Sequence, residues 1–149
     1  MNDPVTPVTH PEVENFQAYF DDRFATVYYN SDKGIIICSL KTDYVPIDSF
    51  KYTFNKIGEL VKSGVNNKFI FDKRSLRAFH QPSMEWYFTV WKKEMLTSGL
   101  SIHRKILPDL PWFKKAVEIA RGQLEKNHTE LLSKLDIQYS TTVKEAVNN

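Results

Sequence analysis

A chain of 149 residues with 20 Lys and Arg against 18 Asp and Glu has the size of one domain built on one core. A formal net charge of +2 is too small for a nucleic-acid footprint spread over the surface, so no nucleic-acid partner is expected. Cys38 is the only cysteine, which excludes an intramolecular disulfide and a thiolate zinc cluster and favours a reducing, cytoplasmic setting.

At the amino end, residues 1–15 set Pro4, Pro7 and Pro11 among Thr, Val, Asp and Glu, a composition that neither holds a helix nor pairs as a central strand. It reads as a flexible arm, and it lacks the basic and apolar regions of a secretory signal. No later apolar run approaches the ~20 residues that span a bilayer, so no membrane insertion is expected. The folded domain is expected over residues 16–149. Within it, FATVYYN and GIIICSLK are rich in β-branched and aromatic residues, and the intervening SDKG supplies turn chemistry with Gly34 free to take positive φ. That pattern predicts a hairpin.

From Ile47 the period changes, and Phe50, Phe54, Ile57 and Val61 recur on one helical stripe, with Pro46 and Asp48 suited to the start and Gly64 to the end. KFIFD then reads as a short strand. A helix follows from about Pro82, with Met84, Phe88, Trp91 and Met95 on one face and Gly99 closing it. LSIHRKIL is the next strand, ended by Pro108. Pro111 opens a helix that uses Phe113, Ala116, Val117, Ala120 and Leu124, and that either runs toward Leu135 or breaks near Asn127. LDIQYS is a last strand, and TTVKEAVNN a short helix with Thr142 and Glu145 at capping-box spacing. The order β-β-α-β-α-β-α-β-α predicts a small α/β domain, a mixed and mostly parallel sheet with helices packed on it.

That order, with the hairpin ATVYYNSDKGIIICSL, the strand-loop-helix FIFDKRSLRAFHQPSMEWYFTVW and the closing DIQYSTTVKEAVN, resembles the STAS superfamily of sulfate-transporter and anti-sigma-factor-antagonist domains. Within it the chain is similar to the divergent bacterial STAS-like proteins. The likeness spans residues 24–147, with Asp72 at a strand end as its recurring polar mark. In the antagonist proteins a serine or threonine in an Asp-Ser-Ser-Gly type loop is phosphorylated by a partner kinase. The resemblance makes Ser83 the positional equivalent and a candidate phosphosite, although here neither the glycine nor the preceding acid is present. Read from composition alone, Ser83 beside Pro82 is a helix start whose hydroxyl satisfies a free backbone N–H.

Asp72, Lys73, Arg74 and Arg77 follow a predicted parallel strand, at the edge where open α/β sheets place ligand crevices. His103, Arg104 and Lys105 in the next strand are read as part of the same basic surface, suited to an anion or an acidic peptide. The alternative is a solvated loop and a charged edge strand. Trp86, Tyr87, Phe88 and Trp91 are more aromatic surface than one α-helical stripe buries. Trp86 and Tyr87 lie off the stripe, and read either as a partner or self-association face or as a broad buried face. His10, His80, His103 and His128 show no ligand spacing, and no phosphate-cradling glycine loop or nucleophile elbow occurs. No metal, no cofactor and no catalytic residue is therefore expected. The leading expectation is a non-enzymatic regulatory or scaffolding module that binds a protein partner, with a homodimer possible. A small-ligand domain for an apolar or anionic molecule, with Phe69, Phe71, Trp91 and Trp112 as candidate lining, is the second. Chemistry at Asp72, Arg74 and a histidine is the third.

Overall fold

A computed structural model of the chain describes residues 9–149; Pro4 and Pro7 of the expected arm lie outside the described residues. The strands are β1 (Gln17–Asp21), β2 (Ala25–Asn30), β3 (Ile35–Leu40), β4 (Lys68–Asp72), β5 (Ile102–Ile106) and β6 (Asp136–Tyr139). The helices are α1 (Ile47–Lys62), α2 (Gln81–Trp86), α3 (Lys93–Thr97), α4 (Pro111–Asn127), α5 (Thr129–Ser133) and α6 (Val143–Asn148), with a π-helical segment, Tyr87–Lys92, joining α2 to α3. The molecule is a small α/β domain with a mixed, mostly parallel sheet flanked by helices.

The six strands follow one another across the sheet in chain order. β1, β2 and β3 pair antiparallel, and β3 to β6 run parallel. The expected hairpin is present: Gly34 takes φ +68°, and a Cβ there would lie 2.8 Å from Asn67 Cβ. Right-handed crossovers that always step in the same direction put their helices on one face. Accordingly α1, the α2–π–α3 run and α4 share one core with Ile36, Cys38, Phe69 and Phe71. The opposite face is smaller, with Val143 and Ala146 of α6 packed against Ile35, Ile37, Ile70 and Ile106. Phe16 and Val13 join that second cluster.

Three expectations are corrected. A strand precedes the hairpin: β1 is short, edge-placed and nowhere fully buried, so it carries little of the apolar alternation by which strands are recognised. Residues 9–15, read as part of the arm, are tied down. Thr9 bridges to Gln17, His10 is buried, and Glu12 reaches Arg74. The second crossover helix is interrupted by the π segment. The long helix after Pro111 does break, at Asn127, and α5 follows.

Strand alternation decides the fate of the basic residues of β4 and β5. Lys68, Ile70 and Asp72 point toward α6, as do Arg104 and Ile106. Arg104 donates to Asp136 Oδ2 at 3.2 Å and to the Asn149 carbonyl at 3.0 Å. Lys68 Nζ donates to the Ala146 and Val147 carbonyls, both at 3.0 Å. Two cations thus complete the carbonyl end of α6, where the helix dipole favours them. Arg104 is 3% exposed and does not join Arg74 and Arg77 in one basic surface: it is held at the carboxyl end of α6, whereas Arg74 clasps Asp72 and Glu12 near the start of α6.

Candidate functional site

The loop after β4 divides its side chains between the two faces. Asp72 Oδ1 accepts from Arg74 N at 3.1 Å and from Arg74 Nε at 2.9 Å, and Oδ2 accepts from Arg74 Nη2 at 2.7 Å. Arg74 Nη2 also donates to Glu12 Oε2 at 2.5 Å. This bidentate clasp and the Glu12 contact hold the Arg74 guanidinium protonated even more firmly than usual. His10, the histidine near this pair, uses Nδ1 to accept from Glu12 N at 3.0 Å, so no hydrogen-bonded Asp72–Arg74–histidine group forms. Arg77 is exposed, and its Nη1 donates to the Arg74 and Leu76 carbonyls at 3.0 and 2.7 Å.

Lys73, one residue on, points the other way and is 1% exposed. Its Nζ lies 3.8 Å from Met84 Sδ and 5.2 Å from the centre of the Phe71 ring. It is not part of an exposed basic rim. Tyr87, read as off the buried stripe, is 1% exposed, while Trp86 is partly buried against Phe50 with Lys51 over its ring. The π segment explains this. In an α-helix of about 3.6 residues per turn, side chains five apart diverge by about 140°. An i→i+5 turn instead brings them to one face. Tyr87, Phe88, Trp91 and Lys92 are all buried here, and Lys92 Nζ lies 4.7 Å from the centre of the Tyr87 ring.

Ser83 is also placed differently from expectation. α2 is capped by His80, whose Nδ1 accepts from Ser83 N at 3.3 Å, and Ser83 Oγ lies 2.8 Å from the same nitrogen. At 2% exposure, the hydroxyl meets a kinase only if the start of α2 opens. Phe69, Phe71 and Trp91 fill the core, and Trp91 Nε1 donates to the Phe54 carbonyl at 2.8 Å; Trp112 is half exposed.

What the fold assembles instead is a set of buried and half-buried bases beside the carboxyl edge of the parallel strands. Lys73 comes from the end of β4, Lys105 from β5, Lys92 from the π segment and Arg121 from α4. Lys73, Lys105, Arg121 and Tyr87 help to line a cavity of about 40 Å³. Its walls are otherwise apolar, with Phe79, Met84, Phe88, Val117, Leu124 and Ile137. Val117, Arg121 and Tyr139 also line an open cleft of about 990 Å³, which therefore adjoins the cavity. Arg74, Arg77 and Lys114 stand at that cleft with Asp109, Glu118 and Glu125. The outer acids have cations of their own: Lys114 meets Asp109 at 3.0 Å and Arg121 Nε approaches Glu125 at 3.5 Å.

Among the described residues, the inner lysines Lys73, Lys92 and Lys105 pair with no carboxylate. Tyr87 Oη and Lys92 Nζ are buried and lack a hydrogen-bond acceptor among the described residues. Burial is the first cause that pushes Lys73 and Lys92 well below the ordinary lysine range, and in each case neighbouring bases push further. Burial likewise lowers Lys105, to about 8, although Lys92 acts as an acceptor that partly offsets it. Burial also pushes the Tyr87 phenol well up and the His103 imidazole well down. Lys105 was visible in the basic run of its strand. Lys92 and Arg121 carried no comparable mark, since a lysine or arginine on a helix normally reaches solvent.

Among the described residues, no cluster of three or more His, Cys, Asp and Glu side chains is placed to hold a metal ion, and no helix is long and apolar enough to cross a membrane. No protein-family model, no curated protein and no solved structure matches the chain.

Proposed function

We propose that this domain binds a small organic anion, with its acidic group in the cavity among Lys73, Lys105 and Arg121 and its remainder in the adjoining cleft. One observation carries the reading: among the described residues no hydrogen bond or ion pair joins Lys73, Lys92 or Lys105 to an acid, and their charged neighbours are other bases. Buried amines without counter-charges are costly, and an anion entering the cavity would relieve that cost. The apolar walls suit the carbon skeleton of the ligand. This is the anionic form of the small-ligand reading, and the inward placement of Tyr87 and Lys73 supports it over the protein-partner reading.

A narrower partner reading keeps one observation in its favour. Arg77 is exposed at the cleft, and its guanidinium contacts only backbone carbonyls, so an acidic side chain of another protein would find a donor there. The STAS-like relationship is likewise a proposal, supported by the hairpin followed by alternating helices and strands.

Titration of the folded chain with short carboxylates and phosphate monoesters, followed by amide NMR and thermal unfolding, tests the reading. At a hundred times its Kd a ligand stabilises the fold by about 2.7 kcal/mol. The shifts should concentrate on β5, the π segment and α4. Equal effects from the uncharged amides or alcohols of the same shape would overturn it.

A further inference from the structure

The lysines at and behind the cavity are too poorly compensated to serve simply as three cations. Lys92 and Lys105 reach the same aromatic ring, their Nζ atoms 4.7 and 5.5 Å from the Tyr87 ring centre. Lys92 is 0% exposed with no acceptor for its protons among the described residues. Lys105 differs from it in two respects: it is only partly buried, and it lines the cavity. The groups that face Lys105 are Lys92 and Tyr87 from the π segment, Lys73 after β4, Arg121 from α4 and Tyr139 from β6. None is an acid. A lysine held in an apolar pocket gives up its proton more readily than an exposed one, and so supplies a nucleophilic amine from about pH 8 upward.

We propose that Lys105 captures a carbonyl-bearing organic acid, a 2-oxo acid or an aldehyde acid, as a reversible imine. This rests on the anion-binding reading of the same cavity and adds the chemical class of the ligand. The Lys105 amine attacks the carbonyl carbon and forms the C–N bond. The carbonyl oxygen then takes up both amine protons and leaves as water, giving the C=N bond. The Lys92 amine, which faces Lys105, and cavity water carry the protons. The acid group of the captured molecule meets Lys73 or Arg121. Addition of water reverses the sequence, and no oxidant or reductant takes part. Lys92 is a positioning residue in this scheme, because it acts through Lys105.

The test uses the full chain with glyoxylate or pyruvate and cyanoborohydride, which reduces an imine to a stable secondary amine, followed by peptide mapping. Glycolate and lactate, acids of the same size without the carbonyl, report anion binding alone by NMR and by protection. The expected result is one predominant adduct, on Lys105, slowed by glycolate, with a rate that rises through about pH 8 and not near the ordinary 10.5. Lys105→Arg should lose the adduct. Lys92→Met should move the midpoint of the pH profile downward, because it removes the acceptor that raises Lys105. Glycolate binding with adducts spread over exposed lysines overturns the imine while the anion reading stands. No glycolate binding and no Lys105 adduct overturns both. Acetaldehyde labelling Lys105 as fast as glyoxylate does would refute the acid requirement, and with it the proposal.

Discussion

Replacing Lys105 by methionine removes a titrating amine while keeping an unbranched chain of similar length in the cavity wall. In the folded protein the amine titrates near 8, against 10.5 when exposed. Below about pH 8 it is charged in both the folded and unfolded chains, and the folded state bears the whole cost of burying the charge. Above 10.5 it is neutral in both and the cost is gone. Stability of the natural protein therefore rises through this window, since the unfolded chain binds more protons. The gap, at about 1.4 kcal/mol per pH unit, amounts to about 3–4 kcal/mol, an upper figure because Lys105 keeps some solvent contact through the cavity. Cys38 and Tyr87, whose ionisation burial opposes, contribute with the opposite sign above pH 9, but they are common to both proteins. The assay is urea unfolding of the two proteins at intervals from pH 7 to 10. The methionine variant should be the more stable at pH 7, and its advantage should shrink steadily above pH 8. An advantage that does not change with pH would show that Lys105 titrates like a surface lysine.

Lys92→Met should stabilise the ligand-free chain at pH 7 by about 1–3 kcal/mol, the cost of a buried amine with no acceptor for its protons; a loss of stability in chemical denaturation would mean that its contact with Lys105 outweighs that cost. Arg74→Ala leaves the Asp72 carboxylate, 11% exposed, without its clasp. Because Arg74 itself is 37% exposed, about 1–2 kcal/mol should be lost, below the range for fully buried pairs. Hydrogen exchange should also quicken around Phe16 and β1, since Arg74 holds Glu12. Unchanged exchange there would count against that tether. Gly34→Ala should cost at least about 1–2 kcal/mol from the left-handed backbone alone, with the Asn67 contact adding to it. A neutral result in thermal unfolding would show that the turn relaxes freely.

How far the molecule could be read in advance differs element by element. The hairpin, α1, β4, β5, α4, β6 and α6 each carry their own periodicity and punctuation, and Thr142 caps α6 through Glu145 N as its spacing suggested. β1 escaped because an edge strand buries too little to leave an apolar pattern. The excess of aromatics from Trp86 to Trp91 was the legible trace of the π segment, though not of its consequence. A lysine's chemical type says nothing of its depth. Lys73 was read as rim and Lys92 was not singled out, yet both are enclosed because of where neighbouring elements close over them.

By itself, the order of apolar periods and turn residues along the chain determined a small α/β domain with a mostly parallel sheet, because each element's pattern is local. Only the tertiary structure decided which bases meet. Alternation sends Asp72 and Arg104 to the α6 face and Lys73 and Lys105 to the helical face, and the widened turn at Tyr87–Lys92 aims a second lysine at the same ring. Those groups lie on β4, β5, the π segment and α4, far apart in the chain, and their shared want of an acid arises only when the helices are laid on the sheet.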